Sequence, residues 1–144
     1  MQECSLQTEI RTLGPCKLDS VLPYRTWADN KTVQIFVDEE LSDEVGAPVS
    51  VCLEAAGPRK KLYFDTTRAK CAIVTCGGLC PGLNNVIRSL VHELNHGYGV
   101  REILGFVNGY QGLDPWRGSE PIALTHEFVE DIHKEGGTVL NTSR

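Results

Sequence analysis

Cys71-Ala72-Ile73-Val74-Thr75-Cys76-Gly77-Gly78-Leu79-Cys80-Pro81-Gly82-Leu83-Asn84-Asn85 runs from an apolar strand through a glycine-rich turn into an amphipathic helix. A strand carries the backbone to a sheet edge, glycines let it turn and approach a ligand without a Cβ, and the following helix aims unpaired N–H groups at an anion. That order of elements suits a phosphate site. The same glycines could also serve a tight strand-to-helix turn with no ligand. From Asn84 to Asn95, helical spacing puts Val86, Ile87, Leu90, Val91 and Leu94 on one apolar stripe, with Arg88, Ser89, Glu93 and Asn95 on other faces. Pro81 suits the opening of this helix, and Gly97 is placed for the left-handed residue that ends it.

Arg101-Glu102-Ile103-Leu104-Gly105-Phe106-Val107 reads as a second strand. Cys71 to Val107 is therefore expected to be a β-α-β unit, parallel and right-handed, with the glycine turn at the carboxyl end of its first strand. Two familiar phosphate motifs fail. A Walker loop needs Lys and then Ser or Thr after its last glycine, whereas Gly82 is followed by Leu83 and Asn84. A dinucleotide fingerprint needs Gly-x-Gly-x-x-Gly, whereas this turn has adjacent glycines and a proline before the third, which leaves a dinucleotide-dependent oxidoreductase only the β-α-β unit in its favour.

Gly77-Gly78-Leu79-Cys80-Pro81-Gly82-Leu83-Asn84, followed by Val86-Ile87-Arg88, resembles the signature of the 6-phosphofructokinases, in the plant-type ATP-dependent branch that writes Leu-Cys at the third and fourth positions. Three more stretches agree in order: 56–64 (Ala-Gly-Pro-Arg-Lys-Lys-Leu-Tyr-Phe), 105–113 (Gly-Phe-Val-Asn-Gly-Tyr-Gln-Gly-Leu), and 131–144, ending Gly-Gly-Thr-Val-Leu-Asn-Thr-Ser-Arg. The resemblance implies an α/β fold whose parallel, Rossmann-like portion, residues 55–144, binds nucleotide behind an irregular N-terminal extension, residues 1–54. It also implies roles: Gly78 against the nucleotide phosphates through its N–H, Tyr110 flanking the nucleotide, and Arg144 reaching the donor phosphates. An arginine fork matches phosphate oxygens, and phosphoryl transfer depends chiefly on positioning and charge neutralisation.

The implied reaction is ATP-dependent phosphorylation of the 1-hydroxyl of fructose 6-phosphate in glycolysis, with Mg²⁺, in a cytoplasmic homo-oligomer. The family's Mg²⁺ motif, its Thr-x-Asp-x-Asp motif with the aspartate base, and its sugar-phosphate arginines are not among these 144 residues. The chain is expected to be the N-terminal part of a longer kinase, inactive alone, and neither a catalytic residue nor a metal ligand is assigned in it. A non-catalytic nucleotide- or phosphate-binding regulatory module and a pyrophosphate-dependent enzyme are the alternatives. Two departures stand out. Asn141 occupies a position where the family usually has glycine, and asparagine best tolerates a left-handed backbone. Arg88 matches one effector-site arginine of the bacterial members, but His92 and His126 stand at others, so the same ADP control is not expected.

Lys+Arg 14 against Asp+Glu 19 gives a net charge of −5, which argues against a general nucleic-acid binder and offers no polybasic membrane patch. Six scattered cysteines without an apolar signal segment at residues 1–10 point to a reducing compartment rather than a disulfide framework, and Cys76 and Cys80 lack the second pair that structural zinc usually needs. Residues 33–37 and 49–53 read as short strands, and Asp38-Glu39-Glu40 with Asp43 and Glu44 as a solvated loop. Thr125 to Glu135 reads as a helix capped by Thr125, burying Phe128, Val129 and Ile132, and stopped by Gly136.

Overall fold

The computed structural model describes residues 12–23, 27–28, 32–36, 50–78 and 80–143. The acidic run from Asp38 to Glu44 and the candidate Arg144 lie outside the described residues. The chain forms two compact units, Met1–Tyr63 and Phe64–Arg144. Among the described residues no helix is long and apolar enough to cross a membrane.

The first unit is built from two antiparallel pairs. Strand β1 (Leu18–Asp19) pairs with β4 (Lys61–Leu62), and the Lys61 ammonium meets the Asp19 carboxylate at 2.6 Å across that register. Strands β2 (Thr32–Phe36) and β3 (Ser50–Glu54) pair from Thr32 opposite Glu54 to Phe36 opposite Ser50, close to the two short strands read from the sequence. The Ala56-Gly57-Pro58-Arg59 segment is held by the Arg59 guanidinium, which donates to the carbonyls of Ala28 and Ala55. Gly57 sits at φ 139°, where a Cβ would come within 2.9 Å of the Ala28 methyl.

The second unit is a three-stranded sheet in the order β5-β6-β7. Strand β5 (Lys70–Val74) runs parallel to β6 (Glu102–Phe106), with Lys70 opposite Glu102 and Val74 opposite Phe106, and the first of these pairs closes an ion pair at 2.8 Å. Strand β7 (Ile122–Ala123) adds antiparallel to β6. Helix α1 (Leu83–His92) connects the parallel strands and buries Ile87 and Val91 against them, with Asn84 one turn earlier on the same face. Val100, Ile103, Leu124, Val129, Ile132 and Leu140 complete the core. Each aliphatic side chain removed from water in this way contributes about 1.5–3 kcal/mol. Gly105 makes room for it, since a Cβ there would lie 2.5 Å from Leu140 Cδ2.

Several local expectations are corrected. Val86 and Leu90, placed on the apolar stripe, are 55% and 45% exposed, because only the Asn84-Ile87-Val91 line faces the sheet. Pro81 lies in the turn ahead of the left-handed cap residue Gly82 (φ 89°), not at the first helical position. After His92 the helix widens into a π turn, Glu93–Gly97, with Tyr98 N–H bonding Glu93 O at 3.0 Å and Val100 N–H bonding Leu94 O at 2.9 Å. The wider turn moves the left-handed residue from Gly97 to Gly99, at φ 70°. The helix expected over 125–135 divides. Thr125 Oγ1 caps α2 (His126–Val129) by accepting from Phe128 N–H, and a separate 3₁₀ turn follows at Ile132–Lys134. That break returns Ile132 to the core beside Val129 and leaves Phe128 38% exposed.

Candidate functional site

Because β5 and β6 are parallel, the chain leaves both strands at the same edge of the sheet. From β5 it passes through Thr75 and Cys76 into the Gly77-Gly78 turn, with Gly77 at φ 90° and a Cβ there meeting nothing within 4 Å. From β6 it reaches Asn108 and Gly109, both left-handed (φ 65° and 62°), then a 3₁₀ turn, Gly109–Leu113, that carries Tyr110. A Cβ on Gly109 would lie 2.8 Å from Ser143 Oγ, 3.0 Å from Ser143 N and 3.2 Å from Thr75 O. Both the conformation and the crowding require glycine at this position.

The third side of the site is the 138–143 segment, tied to both strand ends by hydroxyl groups. Buried Thr75 donates from Oγ1 to Asn141 O at 2.6 Å and lies 3.2 Å from Thr138 Oγ1. Thr142 Oγ1 donates to Gly77 O at 2.7 Å, and Gly77 N–H donates to Ser143 O at 3.3 Å. On the other flank, Ser143 Oγ donates to Asn108 O at 2.6 Å, and Asn108 N–H donates to Leu140 O at 2.8 Å. Asn141 adopts φ 54°, the left-handed backbone that its asparagine accommodates. Asn141 apart, sequence reasoning gave these residues no individual role.

Asn84 locks the frame to the helix. It is only 2% exposed, accepts from Val139 N–H through Oδ1 at 2.8 Å, and donates from Nδ2 to Glu135 O at 3.1 Å. The spacing of Asn84 in line with Ile87 and Val91 on an apolar-striped helix was the signal in the sequence that could have found this clasp. Helix α1 itself opens without a side-chain cap and without an acidic residue in its first turn. A helix start generally carries unpaired N–H groups and roughly half a unit of positive charge, worth about 0.3–1 kcal/mol for an anion at an exposed site.

The structure thus brings Gly78 and Tyr110 to neighbouring strand ends on one edge. Both are exposed, Tyr110 at 72%. Arg144 lies outside the described residues, although Ser143 before it is held in the frame. The side chains of the three segments are hydroxyls, amides, thiols, an aromatic ring and aliphatic groups, with no carboxylate among 75–82, 108–113 and 138–143.

Comparison with known proteins agrees with this geometry. The phosphofructokinase family model matches residues 70–144, just over half the chain and the whole of the site. The chain belongs to the phosphofructokinase family. Among similar curated proteins are the ATP-dependent 6-phosphofructokinases of Amycolatopsis methanolica, 44% identical over 94% of this chain, and of Borreliella burgdorferi, 43% identical over 97%. The Entamoeba histolytica ATP-dependent 6-phosphofructokinase is 54% identical over 64% of the chain. The chain spans about a third of the first two relatives, 32% and 33% of their length, and 21% of the third. In this member of the family, the lattice of hydroxyl-to-backbone bonds gives the Gly77-Gly78 turn a fixed platform at the carboxyl ends of the parallel strands.

Proposed function

We propose that this chain supplies the nucleotide-phosphate face of an ATP-dependent 6-phosphofructokinase, which phosphorylates fructose 6-phosphate in glycolysis. The observation that carries the reading is the open Gly77-Gly78 turn, framed by Asn108–Tyr110 and Thr138–Ser143 beside the uncapped start of α1. In this reading residues 55–144 are the N-terminal part of a Rossmann-like nucleotide-binding domain, and 1–54 are an extension ahead of it. Gly78 offers its N–H to the donor phosphates, Tyr110 flanks the nucleotide, and Arg144 neutralises phosphate charge. Phosphoryl transfer asks mainly for such positioning and charge neutralisation, because the transferring group needs little covalent help from the protein.

Mg²⁺ takes oxygen ligands and is usually held by one or two carboxylates together with substrate phosphates. The three segments supply no carboxylate, so the chain's own part of the site does not fit the ion and no step is assigned to it here. The working enzyme is read as a cytoplasmic homo-oligomer, whose base and sugar-phosphate ligands come from other sequence. Calorimetric titration of the full-length protein with ATP, pyrophosphate and NAD tests the proposal. ATP should bind, and Arg144→Ala should weaken it by roughly 10–100-fold, the equivalent of about 1.5–3 kcal/mol for hydrogen bonds to a charged group. Tyr110→Ala should weaken ATP without changing the unfolding midpoint. Binding of NAD without ATP would overturn the kinase reading, and tight pyrophosphate binding without ATP would change the donor.

A further inference from the structure

A second constellation stands at the opposite end of α1 from the glycine turn. His92 is the last residue of α1, His96 lies one turn on in the π-widened segment, and His126 opens α2. The three rings converge. Their centroids are 5.7 Å apart for His92 and His96, 4.9 Å for His92 and His126, and 5.4 Å for His96 and His126. One ring nitrogen from each residue lies within 4.8 Å of the other two, and the Nδ1 atoms of His92 and His126 are 3.3 Å apart. We infer that His92, His96 and His126 form a binding site for a divalent late transition-metal ion, Zn²⁺ foremost, which ties the end of α1 to the start of α2.

The chemistry of the donor set chooses the ion. Imidazole suits Zn²⁺, Cu²⁺ and Ni²⁺, whereas Mg²⁺ and Ca²⁺ take oxygen ligands. At a Zn–N distance of about 2.0–2.1 Å, tetrahedral ligands sit roughly 3.3–3.4 Å apart, which the His92–His126 pair already meets. The third nitrogen needs to close by up to about 1.5 Å, within reach of a side-chain rotation at the exposed His96. Three protein ligands would leave the fourth position to water. The π turn contributes directly, because His92 and His96 share one side of it with near-parallel rings, 18° between their planes.

The protein alone leaves these rings poorly satisfied. The Nδ1 contact between His92 and His126 asks two like rings to share one proton, and a metal between them removes that demand, while the buried His92 Nε2 has no hydrogen-bond partner among the described residues in either case. Arg88 opposes the ion's charge, but its Nε is anchored on Glu130 O at 3.1 Å. If the rings were protonated, the same four groups would attract an anion instead, which gives the test a clear alternative.

Chelator-stripped full-length protein, titrated with Zn²⁺ by calorimetry and with Co²⁺ by visible absorption, decides between them. The expected result is one saturable equivalent of metal, with a Co²⁺ spectrum free of thiolate charge transfer, which separates the histidines from the exposed Cys16, Cys76 and Cys80. His92→Gln, His96→Gln and His126→Gln should each weaken Zn²⁺ at least as much as loss of an outer-shell partner does, roughly 10–100-fold. Zn²⁺ should raise the unfolding midpoint of the wild type but not of a His92→Gln/His126→Gln variant. Thermal scans in EDTA establish that the variants fold. No saturable Zn²⁺ binding, unchanged binding by the double variant, a thiolate signature, or protection by inorganic phosphate in place of Zn²⁺ would each overturn the inference.

Discussion

Replacing Asn84 by alanine probes the frame of the proposed nucleotide-phosphate site most directly, because one side chain joins α1 to the segment that backs the glycine turn. The substitution removes two hydrogen bonds and strands two partners of unequal cost. Val139 N–H, on a half-buried residue, loses its 2.8 Å acceptor, while Glu135 O belongs to an exposed residue that water can reach. Unsatisfied buried groups cost about 1–3 kcal/mol, so about 1–2 for the amide and about 0.5–1 for the carbonyl predicts a loss of roughly 1.5–3 kcal/mol. Against a total stability of about 5–15 kcal/mol for a small domain, that is a large fraction. Urea unfolding should show a lower midpoint at an unchanged slope, and amide exchange at Val139 should accelerate. ATP affinity should fall with it, because the 138–143 segment loses its anchor. Asn84→Asp keeps the acceptor for Val139 but turns an oxygen toward Glu135 O in a buried site, so amide exchange at Val139 should accelerate less than in Asn84→Ala while overall stability is not restored. An Asn84→Ala protein within about 0.5 kcal/mol of wild type, the usual range of a neutral surface change, would refute the clasp.

Gly109→Ala should cost about 1–2 kcal/mol from the left-handed backbone alone. The approach of its Cβ to Ser143 and Thr75 adds to that, and ATP binding should be lost; wild-type unfolding and affinity would contradict the packing. At Asn141, thermal unfolding should rank glycine level with or above asparagine and place valine about 1–2 kcal/mol below, because a β-branched residue resists φ 54°. A stable valine variant would show that the left-handed turn is dispensable. The Lys134 ammonium, by hydrogen bond and charge at 2.6 Å, holds the Asp131 carboxyl below its ordinary value of 3.8. The stabilising contribution of this carboxylate is therefore present above its unfolded-state pKa and fades as pH falls through the lower folded-state value. A carboxyl NMR titration should place the midpoint below 3.8 and move it upward in Lys134→Met, and an unmoved midpoint would reject the pair as the cause.

The parts of the fold legible in the sequence are those fixed by local chemistry. The β5-turn-α1-β6 order follows from an apolar run, a glycine cluster and a 3.6-residue period, and the Thr125 cap and the left-handed Asn141 follow from backbone preferences of single residues. Interactions across 50 or more residues leave no such trace. The Asn84 bonds to Glu135 and Val139, and the Thr75 and Thr142 bonds that hold 138–143 to the β5 turn, link positions 51 to 66 residues apart. Periodicity also marks that a helix has an apolar side without fixing its edges. Val86 and Leu90 satisfy the stripe as well as Ile87 and Val91 do, and only the sheet beneath decides which pair is covered. The π turn after His92 escapes the same reasoning, since it needs one carbonyl to find an amide five residues on instead of four.

The distribution of hydrogen bonds divides the labour in the site. Thr75, Thr142 and Ser143 each donate their hydroxyl to a backbone carbonyl, Thr138 Oγ1 lies within hydrogen-bond distance of Thr75 and accepts from Leu140 N–H, and Asn84 spends both ends of its amide on the backbone. These polar groups are committed to the frame. In the proposed reading, recognition of a phosphate is left to the Gly78 amide and the α1 start, since the Gly77 amide is bonded to Ser143 O, and to the exposed Tyr110. Backbone amides held in advance pay no reorganisation when charge arrives, which is the property that phosphoryl transfer rewards. A loop built only to reverse the chain would have no comparable need for three hydroxyls, a buried asparagine and two left-handed asparagines to hold its surroundings still.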